Sequence, residues 1–450
     1  MANSYLTRTP SGAGNRKTFT ISTWIKRSKL SYNYNMFYTA GTYNSTQMSQ
    51  LYFASDDKLY FGSWESNGNN NHYLETYRKF RDTNAWYHIV VAVDTTQATE
   101  SNRVKIYING VQETLNSSNN YPAQNHDYAF NSTLVHNIGR REDLGSSYHE
   151  GYLSHVVMVD GTALAPTVFG ETDSTSGIWK FKSPSGVTWG TNGFHLKFEN
   201  SGAMGTDSSG NSNTFTVNGN LKQALDTPSN VYATWNPLNN YYSQSTFANG
   251  NTKVTMGSSQ YTYNTSTLGM TTGKWYAEFK QGSGGSDSMY GISSTQATST
   301  SAELGNYPND YGYYQADGKV WSNNSYVANP YGATWSAGDI IGVAVDLDNN
   351  KLYFSKNGTW QNSGDPTSGS TGTGAVSITA PASTSLGAYF FGFSDYWGAG
   401  SSSTEANFGN GFFGTTAITS AGSNGNGSLF EYDVPSGYYA LNTKNINTYG

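Results

Sequence analysis

Two stretches of this 450-residue sequence follow the same order of residues. The first runs from Trp86 to Gln112, and the second runs from Trp335 to Gln361, about 250 residues later. Each contains a tryptophan, the tetrapeptide Val-Ala-Val-Asp, a polar segment, a Lys-x-Tyr triplet and a closing Asn-Gly dipeptide. The repetition indicates that the chain builds the same local structure twice.

A β-hairpin is the structure that this order of residues predicts. In the second copy, "DIIGVAVDL" is a largely apolar run rich in Ile and Val, which is typical of a buried strand. "DNNK" favours a turn because Asn and Asp tolerate left-handed backbone. "KLYFSKNG" then alternates polar and apolar residues and ends at Asn357-Gly358, a favoured tight-turn dipeptide. The first copy has a longer polar turn, "TTQATESN".

A hairpin with one apolar face needs a second sheet to cover that face. Two such hairpins so far apart predict two β-domains, and 450 residues are enough for two or three domains. Long amphipathic helical patterns are absent from the sequence. We therefore expect an all-β fold in which two antiparallel β-sandwich (jelly-roll) domains stand in tandem.

The charge of the chain is low and argues against nucleic acid as a partner. Charged residues make up 12% of the sequence, and the net charge is −6. Basic and acidic residues are equal in number up to Trp235, so the whole excess of acid lies beyond it. Neither half has the strongly basic composition that binding to nucleic acid requires.

The absence of cysteine excludes a disulfide scaffold, thiol catalysis and cysteine-based zinc sites. The first residues, "MANSYLTRTP", lack the apolar stretch of a signal peptide, and no apolar run of 18 residues occurs. We therefore expect synthesis in a cytoplasm without a signal peptide, and no insertion into a membrane.

The first half of the sequence resembles a known family of sandwiches. "TFTISTWIKRS", "WYHIVVAVD", "VKIYINGV", "HNIGRR" and "GYLSHVVMVDGTAL" together look like a laminin-G-like jelly roll of the concanavalin A type. We assign this domain to residues 1–225. Residues 193–219 resemble the segment that usually opens such domains. We therefore expect Leu196–Phe198 to close the sandwich from its C-terminal side.

The second half resembles a SPRY domain. "GKWYAEFK", "GDIIGVAVDLDNNKLYFSKNGTW" and "LGAYFFGFSDYWGAGSSSTEANFGN" match the strands of that family in order. We assign residues 238–412 to this sandwich. Residues 226–237, "DTPSNVYATWNP", contain two prolines and are interpreted as a linker. Residues 413–450 are predicted to form a C-terminal segment rich in Gly, Ser and Asn.

The order of these segments resembles virion structural proteins of phages, especially those of marine phages and cyanophages. "SYLTRTPSGAGNRKTFTISTWIKRS" is followed by "DTPSNVYATWNPLNN", a SPRY-like domain and "ALNTKN". The resemblance implies a protein made in the host cytoplasm and assembled into the virion. Its implied partners are other virion subunits, a surface glycan or protein of the host, and further copies of the same chain.

Jelly rolls of the concanavalin A type include glycoside hydrolases, which need a specific set of carboxylates. Those enzymes need two carboxylates that face one sugar, about 5–5.5 Å apart for retention. On a strand, alternate residues share one face, which calls for Glu-x-Asp followed by a further Glu. Glu171-Thr172-Asp173 is the nearest match, but the further acid is missing and the segment is typical of a loop. We predict no catalytic residues and no enzymatic activity.

No metal site is predicted either. Asp346–Asn350 lacks the glycine and glutamate of an EF-hand loop and is interpreted as a hairpin turn. Asp56-Asp57 also precedes a strand-like run. His149 and His155 do not have the spacing of a common zinc motif. We expect no cofactor, although the resemblance to laminin-G-like domains leaves a structural calcium in the first sandwich open.

Aromatic residues remain as candidates for binding a ligand, since flat rings with a polar edge often hold sugars and extended polymers. Residues 306–335 are rich in Tyr and Trp, and Tyr313 and Trp321 in this stretch are expected on strands. The candidates for a surface patch lie in the predicted loops of the SPRY-like domain. They are Tyr307, Tyr311, Tyr326, Tyr331, Tyr396 and Trp397.

Together these features predict a non-enzymatic phage virion protein. The first hypothesis is a tail fibre or surface adhesin that binds a glycan or protein of the host envelope, since loops on a rigid sandwich are common binding sites. The alternative is a decoration protein of the capsid or tail that binds other virion subunits. A polysaccharide depolymerase is the third hypothesis and would need acids converging in a groove.

Overall fold

The chain forms two compact units, Met1–Gln223 and Ala224–Gly450. The computed structural model describes residues 4–43, 47–66, 68, 71–116, 120–145, 147–239, 245–257, 261–282, 284, 287–299, 301–395 and 402–450. Nearly all regular structure is β, and each unit contains two large sheets, so the predicted fold class is confirmed.

The described part of the first unit is built from short and medium strands. They are β1 (Tyr5–Arg8), β2 (Thr18–Arg27), β3 (Asn35–Gly41), β4 (Gln47–Phe53), β5 (Lys58–Glu65), β6 (His72–Lys79), β7 (Trp86–Asp94), β8 (Val104–Ile108), β9 (Val111–Gln112), β10 (His136–Ile138), β11 (Gly151–Asp160), β12 (Gly170–Thr172), β13 (Trp179–Phe181), β14 (Phe194–Leu196) and β15 (Thr216–Asn218). Single 3-10 turns occur at Glu100–Asn102 and Pro166–Val168.

Two sheets enclose the core of the first unit. One has the order β15-β1-β10-β3-β4-β5-β6 and the other has the order β14-β11-β2-β7-β8-β9. Their facing side chains, such as Phe19, Leu51 and Ile106, form one continuous apolar cluster. The late strand predicted around Leu196 is present, because β14 pairs with β11 and Leu196 is fully buried. Phe198 lies beyond the end of that strand.

The described part of the second unit is built in the same way. Its strands are β16 (Ser245–Ala248), β17 (Lys253–Met256), β18 (Thr262–Thr265), β19 (Lys274–Gln281), β20 (Ser288–Ser293), β21 (Tyr311–Tyr314), β22 (Val320–Ser322), β23 (Ser325–Ala328), β24 (Ile340–Asp346), β25 (Lys351–Lys356), β26 (Thr359–Trp360), β27 (Val376–Ser377), β28 (Phe390–Asp395), β29 (Ser403–Asn407), β30 (Phe412–Phe413), β31 (Thr416–Ala417) and β32 (Tyr439–Ala440). Its helices are 3-10 turns at Gln361–Ser363, Pro366–Thr371 and Pro381–Ser383, and α1 at Thr443–Tyr449.

The second unit also places an aromatic core between two sheets. One sheet follows β16-β17-β29-β19-β24-β25-β26, with β27 added at β25 and β32 added at β19, and the other follows β18-β28-β20-β21-β22-β23. Trp235, Phe279 and Phe391 lie in the shared apolar cluster. Among the described residues, no helix is both long and apolar enough to span a membrane.

The two predicted hairpins are present with matching registers. Strands β7 and β8 pair with Val93 opposite Val104, and strands β24 and β25 pair with Val345 opposite Leu352. The closing Asn109 has a positive φ, as does the glycine that follows it. This is the backbone that an Asn-Gly hairpin turn requires.

The asparagine side chain of each Asn-Gly dipeptide also forms a hydrogen bond within its own hairpin. The Oδ1 atom of Asn109 accepts a hydrogen bond from the backbone N–H of His88 at 2.8 Å. In the second copy, the Oδ1 atom of Asn357 accepts from the backbone N–H of Ile340, also at 2.8 Å. The repeated residues therefore repeat a side-chain contact as well as a backbone shape.

The segment interpreted as a linker, residues 226–237, packs into the second unit. Trp235 is fully buried, and the backbone N–H of Ala233 donates to the carbonyl of Leu441 at 3.0 Å. The C-terminal segment is packed as well, since β32 runs parallel to β19 and Tyr438 is fully buried. The two prolines led to the interpretation of residues 226–237 as a linker, but large apolar side chains in both segments favour packing onto the sandwich.

Candidate functional site

The tripeptide Leu-Tyr-Phe occurs on two consecutive strands of the first unit, at Leu51–Phe53 in β4 and Leu59–Phe61 in β5. In each, the Leu and Phe side chains enter the core between the sheets. Because side chains alternate along a strand, the tyrosines point to the outer face. Tyr52 lies directly opposite Tyr60, with ring centroids 5.4 Å apart and planes 24° from parallel.

Tyr34 extends this pair into a row of three rings. It precedes β3, and its ring centroid lies 5.5 Å from that of Tyr52. At the other end, the Tyr60 hydroxyl donates to Asp56 at 3.2 Å. We call Tyr34, Tyr52 and Tyr60 the first bank. Its rings are ordered by contact with one another and by the strand register.

A second bank lies further along the same strands. Trp64 occupies the outer face of β5 opposite the buried Met48. Tyr43 stacks on Trp64 with centroids 4.3 Å apart and planes 30° from parallel. Tyr43 is 42% exposed, so solvent reaches the pair. We call Tyr43 and Trp64 the second bank.

A polar row crosses the sheet between the two banks. Tyr73, Gly62, Gln50, Thr39 and Asn137 lie opposite one another on consecutive strands. The glycine allows the tyrosine ring to lie close, since a Cβ atom there would come within 2.6 Å of the ring. The row is therefore a narrow polar strip with aromatic rings on both sides.

Two buried oxygen atoms in the polar row lack a hydrogen-bond donor. The Oε1 atom of Gln50 and the Oδ1 atom of Asn137 have no partner among the described residues. The amide nitrogen of Asn137 donates to Glu142 at 3.0 Å, which directs its oxygen elsewhere. Buried acceptors are normally satisfied. These two are therefore suited to accept from the hydroxyl groups of a ligand.

Arg141 lies between the banks. Its guanidinium carbon is 5.1 Å from the ring centroid of Tyr34 and 5.2 Å from that of Tyr43. The carboxylate of Asp143 accepts from its Nε and Nη2 atoms at 2.8 and 2.9 Å. The arginine therefore stands as a fixed, oriented cation beside aromatic rings of both banks.

We call these two banks, the polar row and Arg141 the aromatic face. Burial raises the pKa of Tyr52 and of Tyr73, so both hydroxyls stay protonated and can donate at neutral pH. The face therefore combines rings that solvent reaches, such as Tyr43 and Trp64, with amide acceptors at Gln50 and Asn137 that are buried. A sugar chain, which has apolar ring faces edged with hydroxyls, has the complementary chemistry.

The residues predicted as ligand candidates lie in the second unit, and the structure separates them. Tyr326 on β23 is 48% exposed. Its ring centroid is 4.2 Å from that of Trp321, and the Nζ atom of Lys319 lies 4.3 Å above its ring. We call Lys319, Trp321 and Tyr326 the edge cluster, because β23 lies at the end of its sheet among the described strands.

Tyr311 and Tyr331 were predicted on the surface, and this prediction is wrong. Tyr311 begins strand β21 and is 6% exposed, while Tyr331 is 3% exposed. Both rings lie in the core cluster of the second unit. The Tyr331 hydroxyl accepts from the backbone N–H of Phe354 at 3.3 Å. Loop composition alone does not reveal that a ring turns inward.

Tyr307 is half-buried rather than fully exposed. Its hydroxyl accepts from the backbone N–H groups of Thr298 and Ser299, both at 3.1 Å, so it holds a loop together. Tyr396 and Trp397 lie outside the residues that the structure describes. Tyr307 and Trp321 pack against the same small apolar cluster, whereas Tyr311 and Tyr331 lie in the main core of the second unit.

The buried carboxyl group of Asp310, near Tyr307, predicts that the stability of the second unit depends on pH. Tyr307 packs on Tyr263, whose hydroxyl donates to Asp310, and burial raises the pKa of Asp310 to about 7. The folded state holds this proton more tightly than the unfolded chain. Protonated Asp310 therefore contributes fully to the free energy of unfolding below its ordinary pKa near 4, and this contribution is lost as the pH rises to about 7.

We therefore expect the second unit to be more stable at pH 5 than at pH 8, with Asp310 contributing at most about 3 kcal/mol to that difference. Glu278 and Glu303, whose pKa values burial also raises to about 7, act in the same direction. Calorimetric unfolding at both pH values should show a smaller difference in Asp310→Asn than in the wild type. An unchanged pH dependence in the variant would contradict this assignment.

The aromatic face was not predicted from the sequence, although one signal pointed to it. The repeated Leu-Tyr-Phe triplets place Tyr52 and Tyr60 on the opposite side of the sheet from their apolar neighbours. Trp64 continues the same alternation. Tyr34, Tyr43 and Arg141 carry no such signal, because they come from irregular segments whose position depends on the tertiary fold.

The carboxylates considered for catalysis lie on a surface hairpin. Glu171 is on β12, which corrects its assignment to a loop, and Asp173 follows that strand. The Nζ atom of Lys180 lies 3.6 Å from Glu171 and 3.0 Å from Asp173. Both acids are therefore engaged with the same lysine.

The acids considered for metal binding have structural partners. Asp346 is fully buried and accepts from the backbone N–H and the side chain of Asn349, which confirms its role in a hairpin turn. Asp57 is bound by Arg27 and Arg81. Among the described residues, no three or more His, Asp or Glu side chains are grouped as metal ligands.

Two parts of the chain match known family models. Residues 2–168 match Laminin_G_3, described as the concanavalin A-like lectin/glucanases superfamily. Residues 241–379 match the SPRY domain. The chain thus contains a concanavalin A-like domain followed by a SPRY domain, as the sequence predicted.

Curated relatives cover only a small part of the chain. Ran-binding protein 9 of Xenopus tropicalis is 38% identical over 87 residues, which are 19% of this chain and 16% of that protein. E3 ubiquitin-protein ligase RKP of Arabidopsis thaliana is 44% identical over 45 residues, which are 10% of this chain and 4% of that protein. The chain therefore matches well under a fifth of the length of these relatives.

The solved structures that the chain matches are distant in sequence and have low TM-scores. The SPRY domain of human HERC1 is 14% identical, with a TM-score of 0.29, and the match covers 38% of this chain and 96% of that domain. The heptameric SAP-like pentraxin of Limulus polyphemus is 19% identical, with a TM-score of 0.27, and the match covers 36% of this chain and 72% of the pentraxin.

Proposed function

We propose that this chain is a non-enzymatic adhesin that binds glycans through the aromatic face of its first unit. One observation carries the proposal, namely a polar row with two unpartnered buried acceptors between two banks of aromatic rings. Sugar rings stack on aromatic side chains and donate hydroxyl protons to amide oxygens. The concanavalin A-like family match of the same unit supports a binding role.

The face also suits an extended ligand better than a small enclosed one. The polar row crosses four neighbouring strands from Tyr73 to Thr39 and continues onto β10 at Asn137. Neighbouring strands are about 4.8 Å apart, so the row spans close to 20 Å. A chain of several sugar units would contact both banks along this length.

We further propose that the adhesin is displayed on a phage virion, as a tail fibre or a similar surface component. The support is the order of segments described above, which resembles phage virion proteins. The edge cluster of the second unit would contact a protein, either a subunit of the virion or a receptor of the host. If the chain is instead a decoration protein, only the edge cluster would bind a partner.

Binding of the full chain to an array of bacterial capsular, lipopolysaccharide and algal glycans tests the proposal. We expect specific binding, and we expect Trp64→Ala to weaken it about 10- to 100-fold, since a stacked tryptophan at the centre of an interface contributes about 2 kcal/mol. Tyr326→Ala in the edge cluster is the matched control and should leave glycan binding unchanged.

The outcomes distinguish glycan binding at the aromatic face from glycan binding at the edge cluster. Because Trp64 is half-buried, thermal unfolding of Trp64→Ala must first show an intact fold, and Tyr43→Ala provides a second, more exposed variant of the same bank. A folded wild type that binds no glycan on the array, or that loses binding only in Tyr326→Ala, would overturn the assignment of the aromatic face.

A further inference from the structure

The hydrogen bonding of Arg141 leaves one side of its guanidinium unused. Asp143 occupies the side formed by Nε and Nη2. The Nη1 atom makes no hydrogen bond to the described residues, so the end formed by Nη1 and Nη2 remains available. A guanidinium can bind carboxylates in a bidentate manner on either of these edges. Asp143 therefore orients the arginine without saturating it.

The surroundings of this free end are aromatic and only slightly hydrated. The Arg141 and Asp143 side chains are 7% and 8% exposed. Burial raises the pKa of Tyr52 and of Tyr73, and the positive charge of Arg141 partly opposes this effect. An ion pair formed here would be screened less than one on an open surface.

The other acidic groups of this sheet face are already engaged by described cations. Asp56 and Glu75 lie 3.6 and 3.3 Å from the Nζ atom of Lys58. Glu142 pairs with Arg140, whose guanidinium lies 3.9 Å from the ring centroid of Tyr5. An incoming carboxylate would therefore meet paired acids and the free end of one oriented arginine.

We propose that the aromatic face selects acidic glycans, with a sugar carboxylate bound by the free end of Arg141. This inference rests on the proposed glycan-binding function. The neighbouring hydroxyl groups of the sugar donate to the unpartnered oxygens of Gln50 and Asn137, and the rings of the two banks stack on the sugar faces. Arg141 then determines specificity, while the rings supply most of the contact area.

Three uronate polymers, polygalacturonate, alginate and hyaluronate, test the inference, each paired with its carboxyl-reduced neutral form. We expect the full chain to bind at least one polymer roughly 30-fold more tightly than its reduced form. Arg141→Gln should bind both forms with the same affinity. Arg141→Lys should lose most of the preference, because an ammonium group cannot form the bidentate contact.

Lys105→Gln is the control for nonspecific attraction. Lys105 lies on β8 of the opposite sheet, and the substitution removes one positive charge at a distance from the aromatic face. We expect this variant to keep the preference for carboxylate. Thermal unfolding of every variant shows whether the fold is intact. If Arg141→Gln does not fold, Arg141→Lys tests the role of the arginine in the preference for carboxylate.

The results distinguish the selection of acidic glycans from the proposed glycan binding itself. Equal binding of every polymer and its reduced form, or an equal loss in Arg141→Gln and Lys105→Gln, overturns the selection of acidic glycans and leaves glycan binding standing. Failure of all three uronate polymers to bind also overturns the inference. If the glycan array is negative as well, the proposed function falls with it.

Discussion

Replacement of Asp57 by alanine is expected to destabilise the first unit by about 3–5 kcal/mol. Arg27 and Asp57 form an ion pair at 3.0 Å, with side chains that are 0% and 1% exposed. Asp57 also accepts from Arg81 and from the backbone N–H of Ser31. Burial lowers the pKa of Arg27, and the Asp57 carboxylate opposes this effect. Without Asp57, a buried guanidinium loses its counterion.

Differential scanning calorimetry measures this effect, because the transition of the first unit should move down by roughly 10 °C while that of the second unit stays in place. Asp56→Ala is the neighbouring control. Its side chain is 37% exposed and lies 3.6 Å from Lys58, so its loss should cost less than about 1 kcal/mol. Equal effects of the two substitutions would show that the buried pair contributes little.

Glu278→Ala is expected to release the C-terminal segment from the second unit, with a loss of about 3–5 kcal/mol. Glu278 is fully buried on β19. Its carboxyl oxygens accept from the backbone N–H groups of Glu431 at 2.8 Å and Tyr432 at 2.9 Å. It also accepts from the Asn407 side chain and the Tyr276 hydroxyl. Alanine leaves all four donors without this acceptor.

Hydrogen exchange of the Glu431 and Tyr432 amides, together with limited proteolysis, should detect the release. Glu405→Ala on the neighbouring strand β29 is the control, since its ion pair with Lys253 at 3.0 Å is partly exposed. It should cost less than about 1 kcal/mol. Slow exchange at both amides in folded Glu278→Ala would mean that apolar packing alone holds the segment.

The sequence was most informative where backbone chemistry and side-chain alternation agree. Asn109 and Asn357 each begin a turn that requires positive φ, and the flanking strands alternate, so both hairpins could be predicted. The same reasoning would have placed Tyr52 and Tyr60 on an outer face. The resemblances to known families supplied the two sandwich types, which alternation alone does not distinguish.

Long-range packing decided what the sequence did not reveal. Tyr331 turns into the core although it lies between strands, and Trp235 fills the second unit although prolines flank its segment. Arg141 reaches the aromatic face from a segment that follows β10. In each case the position depends on which surface is available after the sheets have formed, and local residue patterns do not contain that information.

The pairing of residues 231–233 with residues 441–443 has a mechanical consequence. The backbone N–H of Thr443 donates to the carbonyl of Val231, and the backbone N–H of Ala233 donates to the carbonyl of Leu441, in an antiparallel arrangement. Force applied to the two ends of the second unit would therefore act first on the bond nearest those ends. The bonds would break one after another and would not share the load. Under load, this unit should first lengthen by peeling at low force, and its sandwich should yield only later.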